Sequence, residues 1–179
     1  IKTEREHVII NHHVYRRTEM RKIMKITTKN FGEVVIDDDK IITFPGGIVG
    51  FPDLKSFTLI HNEEKDKVNS VHWLQSLDEP AFAMPVLDPL LVEENYNPEV
   101  EHELLKPLGE LNPEEMLVLV TLTVPKDVKA MSVNLRAPIV INSENRLACQ
   151  IILDSDQYAV KYPIYEKLNA KKQEAGAKC

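Results

Sequence analysis

Apolar and polar positions alternate along this chain in short runs broken by Gly and Pro, the pattern of β-strands rather than of helices. Residues 26–31 and 33–36 form two such runs around Gly32, where the sequence predicts a bulge or bend. Asp37-Asp38-Asp39 reads as a turn, and residues 40–44 resume an extended run. Runs at 56–60, 71–77 and 81–86 follow, separated by a charged loop at 61–69 and a turn at Asp78-Glu79-Pro80. Residues 116–124 are almost continuous Val, Leu and Thr, which predicts a strand buried on both faces. Residues 138–141 and 147–153 flank Asn142-Ser143-Glu144-Asn145-Arg146, a hairpin connection.

Helical signals are few. Asn97-Pro98-Glu99 offers an N-cap Asn, a Pro at the first helical position and an acid in the first turn. Val100, Leu104, Leu105 and Leu108 then keep helical spacing until Pro107 limits the run, and Asn112-Pro113-Glu114-Glu115 repeats the start signal. The predicted class is mainly β: an antiparallel barrel-like or sandwich domain with one or two short helices.

Length and composition sharpen this. A chain of 179 residues, 43% apolar and 28% charged, suits one globular domain. Residues 1–23 are polar and lack turn punctuation, so the domain is expected to span 24–168. The preceding segment reads as upstream sequence or an appended extension, disordered or non-native. Residues 169–179 read as a mobile tail. No apolar run approaches the roughly 20 residues of a membrane helix, and no signal-peptide pattern opens the chain. Cys149 and Cys179 are too few for a disulfide framework, so a reducing, cytoplasmic setting is expected, with Cys149 a small core residue.

The net charge of −6 is uneven. Residues 1–24 carry +3 and 169–179 carry +2, which leaves −11 on 25–168. A body this acidic repels phosphate, so direct nucleic-acid binding is not expected and a basic partner is favoured; solubility alone accounts for an acidic surface equally well. The charge concentrates in 93–115, where Glu93, Glu94, Glu99, Glu101, Glu103, Glu110, Glu114 and Glu115 are opposed only by Lys106.

Reactive chemistry is not in view. Gly46-Gly47-Ile48-Val49-Gly50 lacks the Lys-Ser/Thr of a phosphate loop, and its glycines read as backbone corners stiffened by Pro45 and Pro52. His61, His72 and His102 are scattered, without the spacing of a metal site, and the acidic turns at 37–39 and 154–156 fit no calcium loop. No nucleophile motif appears. The expectation is a non-enzymatic protein without metal or cofactor. Phe44 and Phe51 are expected to be structural; Trp73 reads as a core aromatic or as an interface anchor.

Phe44-Pro45, Gly47, Gly50-Phe51, Trp73-Leu74-Gln75-Ser76 and Asn134-Leu135-Arg136-Ala137-Pro138-Ile139-Val140-Ile141-Asn142 are, in order and spacing, similar to the flagellar assembly factor FliW family, from about Met24 to about Leu168. The extra N-terminus and Lys-rich tail depart from that family. The resemblance implies a small, mostly β, barrel-like cytoplasmic protein that binds flagellin and the RNA-binding translational repressor CsrA. Secretion of flagellin would free it to sequester CsrA from RNA, so that flagellin translation resumes. The acidic stretch, with Glu93, Glu94, Glu99, Glu101 and Glu103, reads either as a solvated helix face or as a surface part of which meets basic CsrA or repels RNA from the complex, while flagellin is expected to be met by apolar contacts. A small-molecule-binding or enzymatic β-barrel with an interior pocket is the rival reading; an interior filled with Leu, Ile, Val and Phe would count against it.

Overall fold

The computed structural model describes residues 22–61 and 71–176, the side chains of 172 and 174–176 apart. Two strands, β1 (Ile23–Thr28) and β2 (Gly32–Asp37), form a separate hairpin. Gly32 is not a mid-strand bulge. It has φ +67° and closes a three-residue turn, Lys29 to Phe31, in which Thr28 Oγ1 accepts from the Phe31 N–H. The sequence runs on either side of Gly32 were therefore one hairpin, with its turn where the first run was expected to continue.

The main sheet contains β3 (Ile42–Thr43), β4 (Ser56–His61), β5 (His72–Ser76), β6 (Ala83–Leu87), β7 (Met116–Thr123), β8 (Ser132–Val133), β9 (Ile139–Asn142), β10 (Ala148–Gln150) and β11 (Tyr162–Pro163). Its order is β10-β9-β7-β6-β5-β4-β3, antiparallel throughout, with β8 pairing β7 and β11 pairing β8. The two ends of this path curl toward each other. Thr43 meets Leu147 in one parallel bridge, and the Thr43 N–H donates to the Arg146 carbonyl at 2.8 Å. A single bridge is not a ladder, so the sheet is barrel-like without being a closed barrel.

Two apolar clusters cover the two faces of the curled sheet: the strand neighbours Val86 and Leu87, Leu119 and Val120, and Ile139 and Val140 fall one in each. One holds Phe44, Phe57, Leu74, Val86, Leu119, Ile139 and Ile141; the other holds Leu87, Leu108, Val120, Val133, Leu135, Leu153 and Ile164. Phe44, just past β3, and Phe57 of β4 meet edge-to-face with ring centroids 5.0 Å apart. β7 contributes to both clusters, but Met116 and Leu117 at its start are exposed, so only its second half is buried as the sequence predicted. The start of β7 pairs β9 on one edge and, among the described residues, no strand on the other, which leaves that edge open.

Helices depart most from expectation. Asn97-Pro98-Glu99 starts no helix; the chain stays irregular until α1 (His102–Leu105), four residues long, with Glu101 at its N-cap position but no side-chain cap, which runs into a 3-10 turn at Lys106–Leu108. The second start signal does act: Asn112 accepts from the Glu114 N–H and opens a 3-10 turn at Pro113–Glu115. A longer helix, α2 (Tyr165–Gly176), takes in residues expected to form a mobile tail. The segment before β1 that was set aside as an extension lies, up to residue 21, outside the described residues.

Candidate protein-docking site

Several motif residues are structural for definite reasons. Gly47 has φ +69°, and a Cβ there would sit 2.5 Å from the Pro52 carbonyl oxygen; only glycine closes this turn. Gly50, at φ +85°, faces open space. Gln75 is fully buried and its Nε2 donates toward the carbonyls of Ser76, Pro80 and Phe82, which ties the β5–β6 turn. Asn142 is also buried. Its Nδ2 donates to the Leu108 and Glu110 carbonyls while its Oδ1 accepts from the Glu144 and Asn145 N–H groups. It thereby fastens the β9–β10 hairpin to the loop after α1. Asn134 Oδ1 accepts from the Arg136 N–H, and Pro138 is buried at the start of β9.

The aromatics divide. Phe44 is wholly buried. Phe51 is 46% exposed and packs tilted against Phe82, with centroids 4.6 Å apart, and Pro45 is exposed as well. Trp73 is half-buried on β5 and meets Phe31 of the β1–β2 hairpin edge-on at 5.7 Å. Trp73 therefore anchors the hairpin to the main sheet rather than filling either apolar cluster.

The acidic stretch is carried by a strap, residues 88–115, that leaves the sheet after β6 and returns at β7. Its first corner is set by Asp88, whose Oδ1 accepts from the Leu90 N–H at 2.8 Å. Its middle is pinned by Tyr96, which is buried, donates to the Leu135 carbonyl at 2.8 Å and packs edge-on to Tyr158. Burial pushes the Tyr96 hydroxyl far above its ordinary range, with Tyr158 adding to it, so it stays a neutral donor.

The strap's carboxylates are not equivalent, as the sequence had taken them to be. Glu93 accepts from the Tyr162 hydroxyl at 2.6 Å and lies 3.6 Å from Lys167 Nζ, which also reaches that hydroxyl. The Tyr162 hydrogen bond is the main reason the Glu93 carboxyl sits below its ordinary range. Glu94 pairs with Lys171 at 4.0 Å, and Glu103 with Lys106 at 2.6 Å. Glu115 accepts from the Ser143 hydroxyl. Glu93 and Glu94 thus serve as the strap's attachment to α2, and Glu103 is neutralised within its own turn. Glu99 and Glu101 are exposed and make no ion pair among the described residues, so of the five they keep their charge for the solvent side. The missed signal was on α2: Lys171, expected in a mobile tail, and Lys167, at the end of the expected domain, take the strap's first two carboxylates.

Between the strap and the open start of β7 lies a groove of about 460 Å³. Leu90, Pro98, Val100 and Leu105 form one wall, and Met116, Leu117, Val118 and Val140 the other. A larger hollow of about 650 Å³ opens where the β1–β2 hairpin meets the sheet seam, but Lys22, Asp38 and Arg146 mix both charge signs there without converging on a point. The groove is the apolar one, and the unpaired carboxylates Glu99 and Glu101 flank Val100 on its wall.

His61 and His72, read as scattered, stand opposite each other in register on β4 and β5, with Nδ1 atoms 2.5 Å apart. Burial holds His72 below the ordinary His range and the charge of His61 adds to it. No cluster of three metal-ligating side chains occurs among the described residues, and no helix there is long and apolar enough to cross a membrane. Cys149, on β10, is half-buried, with its thiol pushed up by burial.

What these features define is a mainly β scaffold with a packed interior and an external apolar groove on an acidic strap. Comparison with known proteins agrees with that architecture. The FliW protein family matches residues 25–164. A flagellar assembly factor FliW of Lachnoclostridium phytofermentans is 42% identical over 156 residues, 87% of this chain and 100% of that protein. One of Lachnospira eligens is 47% identical over 152 residues, 84% of this chain and 99% of that protein. The crystal structure of a flagellar assembly factor FliW superposes with a TM-score of 0.72 at 31% identity, over 79% of this chain and 97% of that one. The chain belongs to the FliW family. The matched region ends at Ile164, one residue before α2.

Proposed function

We propose that this chain is a non-enzymatic cytoplasmic flagellar assembly factor that binds flagellin and, when free of it, antagonises the translational repressor CsrA. Secretion of flagellin then releases the protein to withdraw CsrA from RNA, which couples flagellin translation to export. Membership of a family named for flagellar assembly supports the reading. The observation that carries it beyond the name is the packing: the clusters on the two faces of the curled sheet are filled mainly by Leu, Ile, Val and Phe, while the accessible apolar groove lies outside them, beside unpaired carboxylates. A barrel that held a small ligand would instead need a hollow with converging polar groups. An acidic body gains nothing from phosphate counterion release, so the protein meets CsrA and not the RNA.

A three-way titration tests this. Labelled leader RNA is placed on CsrA, this protein is added, then flagellin. RNA is expected to leave CsrA on the first addition and return on the second. An undisturbed CsrA–RNA complex at micromolar excess of this protein would refute the reading.

A further inference from the structure

We propose that the groove between the strap and β7 is a docking site for one amphipathic helix of a partner protein, apolar on the face that enters and bearing Lys or Arg at its margins. The inference rests on the functional reading above only for the existence of a protein partner; the site and the chemistry of its occupant come from the groove. Its walls present Leu90 at 50% exposure, Met116 at 39% and Leu117 at 38%, three large apolar side chains left to solvent in one place.

The polar groups lining the groove are spent internally. Asp88 caps its own turn through the Leu90 N–H, and the Tyr96 hydroxyl is committed to the Leu135 carbonyl. A small ligand would have little to orient it. A helix face needs only the apolar walls, since its backbone hydrogen bonds are satisfied within it. Charge then selects the kind of helix. Glu99 and Glu101 flank the wall residue Val100 without ion-pair partners among the described residues, and no Lys or Arg lines the groove. An acidic margin attracts a helix with basic flanks and repels an acidic one.

The test uses the full chain and two synthetic peptides with Leu at i, i+3, i+4 and i+7. One carries Lys at the remaining positions and the other Glu; binding is read by fluorescence anisotropy at low and high salt. The Lys peptide is expected to bind, and the Glu peptide not to. Leu90→Ser with Leu117→Ser, both partly exposed positions, is expected to weaken the Lys peptide by about tenfold or more while the chain still unfolds cooperatively, with only a modest drop in melting temperature. Glu99→Gln with Glu101→Gln leaves the walls intact and is expected to flatten the salt dependence. Equal binding of the Glu peptide overturns the proposal, as does Lys-peptide binding that ignores the Leu90→Ser/Leu117→Ser change. Concentration-dependent self-association abolished by that same change also overturns it, because a second copy is then the occupant. If the Leu90→Ser/Leu117→Ser chain still binds flagellin and CsrA as the parent does, the groove assignment fails and the functional reading stands. If the parent binds neither while the Lys peptide still needs Leu90 and Leu117, the functional reading fails and the groove stands.

Discussion

The Tyr162 hydroxyl donates to Glu93 across 69 positions of sequence, and that bond joins the acidic strap to the strand just before α2. Lys167 completes the contact from α2 and lies over the Tyr162 ring, 4.7 Å from its centroid. Because the bond is made to the ionised carboxylate, it holds the Glu93 carboxyl below its ordinary value of 4.5. A depressed carboxyl contributes stability that is present above its unfolded value and lost as pH falls through the folded one. Tyr162→Phe removes the main cause of the shift. The variant is expected to melt below the parent at neutral pH, and the gap should close as pH falls below 4.5. Thermal melts of both chains across acid to neutral pH measure this; a gap independent of pH would show that the bond does not reach the carboxylate.

The glycine corner gives a paired comparison. Gly50→Ala meets open space and should cost about 1–2 kcal/mol, the penalty of the left-handed backbone alone. Gly47→Ala carries that penalty and also drives a Cβ to within 2.5 Å of the Pro52 carbonyl oxygen, a backbone atom that cannot swing away. Urea denaturation should rank Gly47→Ala clearly below Gly50→Ala. Equal losses would mean that the turn relaxes.

Aromatic truncation separates two residues that look alike in sequence. Phe44→Ala empties a wholly buried site against Phe57 and should cost about 3–5 kcal/mol. Phe51 is nearly half exposed, and Phe51→Ala should cost well under half as much. Equilibrium unfolding of the two variants decides it, and a Phe51→Ala loss as large as that of Phe44→Ala would contradict the exposed placement.

The same contrast shows what was legible in the sequence. Period-two alternation gave the antiparallel strands, and the Asn-Pro pair at 112–113 capped a turn as its chemistry requires. Asn97-Pro98 carries the same signal and starts no helix: Tyr96 is fixed by the Leu135 carbonyl and Tyr158, and the Asn97 N–H donates to the Tyr158 hydroxyl instead of entering a helix. Tertiary anchoring outweighs a local cap worth about 1 kcal/mol. The acidic strap was visible as composition, but its division was not. Which carboxylates stay unpaired depends on lysines of α2 about 75 residues away, and α2 has little apolar patterning to announce it. The His61–His72 pair was hidden for a related reason: only strand register brings together side chains 11 positions apart.

That histidine pair predicts a second pH effect. His72 is held below its ordinary value of 6.5 by burial and by His61. Its unfolded form therefore takes up a proton first as pH falls, so its contribution is full above 6.5 and is lost as pH drops through the lower folded value. His72→Gln should flatten the stability profile from just above 6.5 downward, until the carboxylates begin to titrate. Melting temperatures of parent and variant through that window check it, and parallel profiles would exclude the pair as the source.

The strap's two unpaired carboxylates make the sharpest functional test. Glu93, Glu94 and Glu103 have lysine partners in the fold, so reversing their charge disturbs structure together with the surface potential. Glu99 and Glu101 are exposed and unpaired among the described residues, so Glu99→Lys with Glu101→Lys should leave the melting temperature nearly unchanged. Long-range attraction acts mainly on the rate of encounter and is screened beyond about 8 Å at physiological salt. If the strap steers a basic partner, association with CsrA at low salt should slow by roughly tenfold in this variant, and parent and variant rates should converge as salt rises. Stopped-flow association at several salt concentrations separates this from a contact effect, which would appear in the dissociation rate and persist in high salt. An unchanged on-rate at low salt would remove Glu99 and Glu101 from the steering surface.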